Sequence, residues 1–169
     1  DGGGLDPDVT VENEYGGAIT SALINAGLVF EFASRYCAEH PTKPDLKSFQ
    51  LNDKDFENFL NYAKSQKFSY TTALEDDISK LLEVAKKERY FDQMSRELRE
   101  LENKVQTSKS GDLANYKSEI IGILQEQIGF HYDLYEGQAD VSLKHDKTLI
   151  EARKVLNDSL TYHKLLSAH

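Results

Sequence analysis

Apolar residues recur every three to four positions along most of this chain, and polar breaks between the runs divide it into helices. Ile19, Leu23, Ala26, Phe30 and Ala33 share one helical face, widened by Leu28, Val29 and Phe32, so a helix is expected from about Ala18 to Ala38. Gly27 in its middle costs about 1 kcal/mol against Ala and is read as a place of close packing. The proline-rich segment His40-Pro-Thr-Lys-Pro44 ends that helix. Asn52 or Asp53 then caps a short helix to about Gln66, carrying Phe56, Phe59, Leu60 and Ala63. Lys67-Phe-Ser-Tyr-Thr71 reads as an extended connector.

Thr72 and Glu75 have the spacing of a capping box, and a long helix is expected from there to about Gln106. Ile78, Leu81, Leu82 and Ala85 lead into Phe91, Met94, Leu98, Leu101 and Val105, a heptad-like stripe. The polar turn Thr107-Ser-Lys-Ser-Gly-Asp112 interrupts it. A second long helix, about Leu113 to Tyr135, repeats the stripe with Leu113, Tyr116, Ile120, Leu124, Ile128, His131 and Leu134. Two such stripes joined by a short polar turn predict an antiparallel helical hairpin, its first arm about 50 Å long if unbroken. Gly137 is expected just past the second arm, and Ala139 to Lys144 as an extended piece. Asp146 caps a helix bearing Leu149, Ile150, Ala152, Val155 and Leu156, and Asn157-Asp-Ser159 restarts a final turn or two. The fold class is mainly α, a helical bundle with a long antiparallel hairpin.

The first fifteen residues follow different rules. Gly2, Gly3 and Gly4 free the backbone and permit close packing against another layer, and Pro7 biases Asp6 towards an extended conformation. Val9-Thr-Val11 reads as a β-branched strand stub. A strand that short does not stand alone, so it is expected to be the last edge of a sheet lying outside this chain. Two units follow: residues 1–15, the stub closing a missing core, and residues 16–169, a helical domain hinged at Gly16 and Gly17.

The string Gly2-Gly-Gly-Leu-Asp-Pro-Asp-Val9 resembles the Gly-Gly-Gly-Ile/Val-x-Pro-Asp signature that closes the catalytic domain of carboxyl-terminal processing, or tail-specific, serine proteases. Looser similarity to the helical extensions of that family continues through Ile19-Thr-Ser-Ala-Leu23, Phe68-Ser-Tyr-Thr-Thr72 and the segment from Leu143 to Asn157. The resemblance implies the C-terminal part of a periplasmic or cell-envelope endopeptidase with a serine–lysine dyad, cleaving unstructured or C-terminally presented polypeptides after a PDZ-like module delivers them. It implies that the substrates meet the missing core. The helical part then serves oligomerisation as a homodimer, substrate access or adaptor docking. The alternative is a freestanding acidic helical protein-interaction domain.

That dyad would lie upstream of the glycine motif, so no catalytic residue is assigned here and the chain alone is expected to be inactive. Ser65 and Lys67 are too close in sequence to face each other on a helix, and no serine sits in a Gly-x-Ser-x-Gly elbow. The net charge of −9, from 29 acidic and 20 basic residues, argues against nucleic acid and anionic lipid partners. No apolar run is long enough to span a membrane.

Metal and cofactor sites are likewise unassigned. His131, Asp133 and Glu136 lie near one another in sequence, and His145 precedes Asp146, but neither group has the spacing that puts two ligands on one helical face. His163 and His169 fall near the chain end. No phosphate loop or dinucleotide fingerprint occurs. The lone Cys37 is expected to act as a small hydrophobe, and Glu97, Glu100 and Glu102, alternating with Arg96, Arg99 and Lys104, as a solvated face.

Overall fold

The computed structural model describes residues 7–11 and 16–167, and helices dominate the second stretch. Two helices, α1 (Ala18–Asn25) and α2 (Leu28–Glu39), replace the single one expected from Ala18. Gly27 takes φ 75°, a left-handed conformation that side chains resist. Nothing lies within 4 Å of where its Cβ would stand, so it breaks the helix and does not mark close packing.

Capping is as expected for α3 (Asp53–Ser65) and α4 (Ala73–Lys87). Asn52 accepts from the Asp55 N–H while Asp55 accepts from the Asn52 N–H, each at 3.1 Å. Thr72 and Glu75 close the corresponding box on α4.

The long helix expected after Thr72 does not reach Gln106. It ends at Lys87, and α5 (Phe91–Lys109) folds back on α4. The stop is a Schellman closure: the Tyr90 N–H bonds the Ala85 carbonyl at 2.9 Å and the Arg89 N–H bonds that of Lys86 at 3.2 Å. Arg89 pivots at φ 67°, where glycine is the usual occupant. Lys67 ends α3 in the same way at φ 52°. The hairpin is therefore built of α4 and α5, within the segment expected to be one arm.

The expected second arm lies elsewhere. After one turn of α6 (Asp112–Asn115), α7 (Lys117–Ser142) packs on α2. Ile120, Leu124 and Ile128 of α7 are each 0% exposed and join Leu28, Val29, Phe32 and Ala33 in one core. That apolar stripe is denser than the one on α5, of which only Leu98 is buried, and hydrophobic burial selects the denser pairing. Phe56, Phe59, Tyr62 and Ala63 of α3 complete the core with Leu46, Phe49 and Leu51 of the connector. The Leu51 N–H donates to the buried Gln125 amide oxygen at 2.8 Å, tying the connector to α7.

α7 is itself folded. Asp133 (φ −149°, ψ 30°) and Leu134 (φ 50°, ψ −137°) leave helical geometry, and the following arm returns along the first. A Cβ on Gly137 would stand 2.1 Å from the Gly129 carbonyl oxygen. In a straight helix those residues would be about 12 Å apart along the axis. Gly137 thus lies inside the helical segment and not beyond it, and residues 139–142 are helical instead of extended. The return arm drives Val141 fully into the core.

Asp146 caps α8 (Lys147–Asn157) through the Leu149 N–H, and Asp158 caps α9 (Ser159–Leu166). Neither helix contains a buried residue. Among the described residues there is no strand: residues 7–11 hold only a bend at Asp8 and Val9. The remainder of the glycine-rich motif lies outside the described residues.

Candidate functional site

Two surfaces have the physical character of contact sites. The first is the α4–α5 hairpin. Its ends are latched by Lys109, whose ammonium donates to both Glu75 carboxylate oxygens at 2.9 Å and to the Tyr70 carbonyl, and lies 4.5 Å from the Tyr70 ring centroid. The Tyr70 hydroxyl donates to Asp112. The Lys109 bond, aided by the Thr72 N–H, holds the Glu75 carboxyl down at about 2. Burial, then the bond to Asp112, pushes the Tyr70 hydroxyl well above its ordinary range.

Inside this latched frame the hairpin buries Ile78, Ala85 and Leu98. On the same heptad stripes as those residues, Leu74 and Leu81 of α4 and Met94 and Leu101 of α5, with Val84 to one side, stay partly exposed to water. Leu74 and Leu81 are a heptad apart, as are Met94 and Leu101, so each pair shares a face of its helix. Their exposures run from 40% to 54%, against 4% for Leu98, so this part of the stripes is only half covered. Arg96 and Glu100 pair at 3.0 Å on the solvated side, as their spacing implies.

The second surface is a groove of 400 Å³ between α2 and α3. Its floor is aromatic. Phe32 meets Phe59 edge-on at 5.3 Å, and Tyr36 stacks on His40 at 4.3 Å. Arg35 stands 4.9 Å from the Tyr62 ring centroid, while the Tyr62 hydroxyl donates to Glu31. Burial and that bond push Tyr62 up to about 12. Glu39 and Asp55 contribute carboxylates to the groove, and Asn58 and Asn61 amides.

The residues weighed for catalysis or metal binding do not converge. Ser65 donates to the Tyr62 carbonyl at 2.6 Å, and Lys67 is the pivot that ends α3. His131 is held by Ser34 through Nε2 and by the Gln127 carbonyl through Nδ1, each at 2.8 Å. Asp133 pairs instead with Lys43 at 2.5 Å. Among the described residues no three His, Cys, Asp or Glu side chains gather closely enough to hold a metal ion. Cys37 is half-buried against the core, and burial raises its thiol. His163 lies on α9, and His169 falls outside the described residues.

Both surfaces had partial signals in the sequence. The heptad stripe on α5 was visible, but the part of it left exposed could not be told without knowing the partner helix. Glu31, Arg35 and Glu39 step by four along α2, a charged stripe that composition alone does not distinguish from solvated surface.

The described residues form a helical bundle with an appended hairpin. Residues 19–156 match the family described as the C-terminal helical domain of a probable PDZ-protease, and the chain belongs to that family. Searches of curated proteins and of solved structures found no match. The helical part of the resemblance thus has independent support. No helix among the described residues is long and apolar enough to cross a membrane.

Proposed function

We propose that this chain is the non-catalytic C-terminal module of a periplasmic or envelope endopeptidase with a serine–lysine dyad, and that it joins two copies of that protease through the half-exposed stripes of the α4–α5 hairpin. In this reading the catalytic core ends near residue 15 and the helical domain begins at residue 16. The core acts on unstructured or C-terminally presented polypeptides. The observation that carries the contact role is the half-exposed heptad positions Leu74, Leu81, Met94 and Leu101, on a hairpin that buries only Ile78, Ala85 and Leu98 within itself. A two-helix layer with half-exposed apolar positions gains by burying them against another helical layer.

The first residues of the helical domain are tied to the start of α7. The Gly17 N–H donates to Glu119 at 2.8 Å, Thr20 donates to the same carboxylate, and a Cβ on Gly17 would meet the Tyr116 ring at 2.6 Å. The coding sequence upstream of Asp1 tests the protease assignment. A serine and a lysine in a β-rich domain behind a PDZ-like module agree with it; an initiator methionine within a few codons of Asp1 makes the freestanding interaction domain the better reading.

A further inference from the structure

The groove between α2 and α3 takes no part in the contact role above, and its charges are not neutralised from within. Arg35 lies over the Tyr62 ring and makes no ion pair among the described residues, so it sets one positive charge against the two groove carboxylates of Glu39 and Asp55. Glu31 already accepts the Tyr62 hydroxyl. Glu39 has neither a hydrogen bond nor an ion pair among the described residues, although it lines the groove. Asp55 uses one oxygen to accept the Asn52 N–H at 3.1 Å, and its charge acts on Tyr36 beside it. The result is surplus negative charge over an aromatic floor, in a hollow of 400 Å³. Pockets of about 300–1,000 Å³ are typical for small ligands and single anchoring groups.

We propose that this groove binds a lysine or arginine side chain presented on a polypeptide, with its cation against Glu39 and Asp55 and its alkyl stem on the aromatic floor. Long cationic side chains lay their methylenes along apolar surface while the head group finds charge, and aromatic faces add attraction for the cation. An acidic ligand would bring its charge against both Glu39 and Asp55. The net charge of −9 also draws basic segments from a distance.

Fluorescence anisotropy on the full chain tests this, with a fluorescein-labelled Gly-Ser-Arg repeat peptide as the probe. The same peptide with citrulline in place of arginine keeps the shape and removes the charge. A double variant, Glu39→Gln with Asp55→Asn, removes both groove carboxylates and keeps an acceptor for the Asn52 cap. A second, Glu97→Gln with Glu102→Gln, removes equal charge from α5. The arginine peptide is expected to bind saturably and about tenfold more weakly to the groove variant, to bind the α5 variant within about twofold, and the citrulline peptide is expected not to bind. If the groove variant loses helicity, Glu39→Gln alone serves, with a loss of about threefold expected. Equal losses in both double variants, equal binding of the citrulline peptide, or no saturable binding of the arginine peptide each overturn the proposal.

Discussion

Gly129 and Gly137 face each other backbone to backbone across the fold in α7. A Cβ on Gly129 would stand 2.5 Å from the Gly137 carbonyl oxygen, and one on Gly137 would stand 2.1 Å from that of Gly129. Only hydrogen fits at either position. The turn at Asp133 and Leu134 is therefore held by a contact eight residues wide that any side chain would pry apart, and Val141 enters the core only while it stays closed.

Gly137→Ala and Gly129→Ala should each destabilise the chain by about 3 kcal/mol, the upper range for over-packing, because the obstacle is backbone. Gly122 is the control. Its Cβ would meet nothing within 4 Å in the same helix, so Gly122→Ala should stabilise by about 0.5–1 kcal/mol. Urea unfolding followed by circular dichroism reads all three, and equal effects at Gly122 and Gly137 would remove the account of the fold in α7.

The Lys109–Glu75 latch gives a signature in acid. Glu75 titrates at about 2 in the folded chain, below its ordinary 4.5. A folded value below the unfolded one means the stabilisation is complete above pH 4.5 and is lost as pH falls towards 2. Lys109→Met should cost about 2 kcal/mol at neutral pH by stranding the carboxylate. The gap between the two proteins should narrow as pH drops through that window. A gap that is constant from pH 7 to pH 3 would show that the ion pair is not its source.

Leu98 and Leu124 sit in different packing units, although their stripes look alike in sequence. Leu124 is 0% exposed in the main core, so Leu124→Ala should cost about 2–5 kcal/mol and lower the melting of the whole bundle. Leu98→Ala opens only the hairpin seam and should release α4 and α5 first, visible as hydrogen exchange confined to residues 73–109. Leu160, at 83% exposed on α9, should tolerate alanine within about 0.5 kcal/mol.

Helix starts marked by a capping side chain were legible; the breaks inside the expected long helices, at Gly27 and Arg89, were not. Asn52, Thr72, Asp146 and Asp158 carry cap side chains that act within three residues, so local chemistry decides those starts. Arg89 and Lys67 close helices in the left-handed region without the glycine that normally signals it, so the reversal between α4 and α5 left no local mark. Leu134 is a stronger case: a leucine at φ 50° is held there by the Gly129–Gly137 contact and the burial of Val141, both tertiary. The groove between α2 and α3 also depends on tertiary placement, since Glu39 and Asp55 come together only when the connector folds back. The glycine-rich start carried the sharpest resemblance, yet most of it lies outside the described residues; the family match rests on the helices.

The central claim is that the half-exposed stripes of the hairpin join two chains. Sedimentation equilibrium of the purified chain over a wide concentration range, beside a Leu81→Glu and Met94→Glu double variant, tests it most directly. The account predicts a monomer–dimer equilibrium that the variant abolishes while its helix content stays the same. A chain that remains monomeric at high concentration, or a dimer that the variant leaves intact, would contradict it.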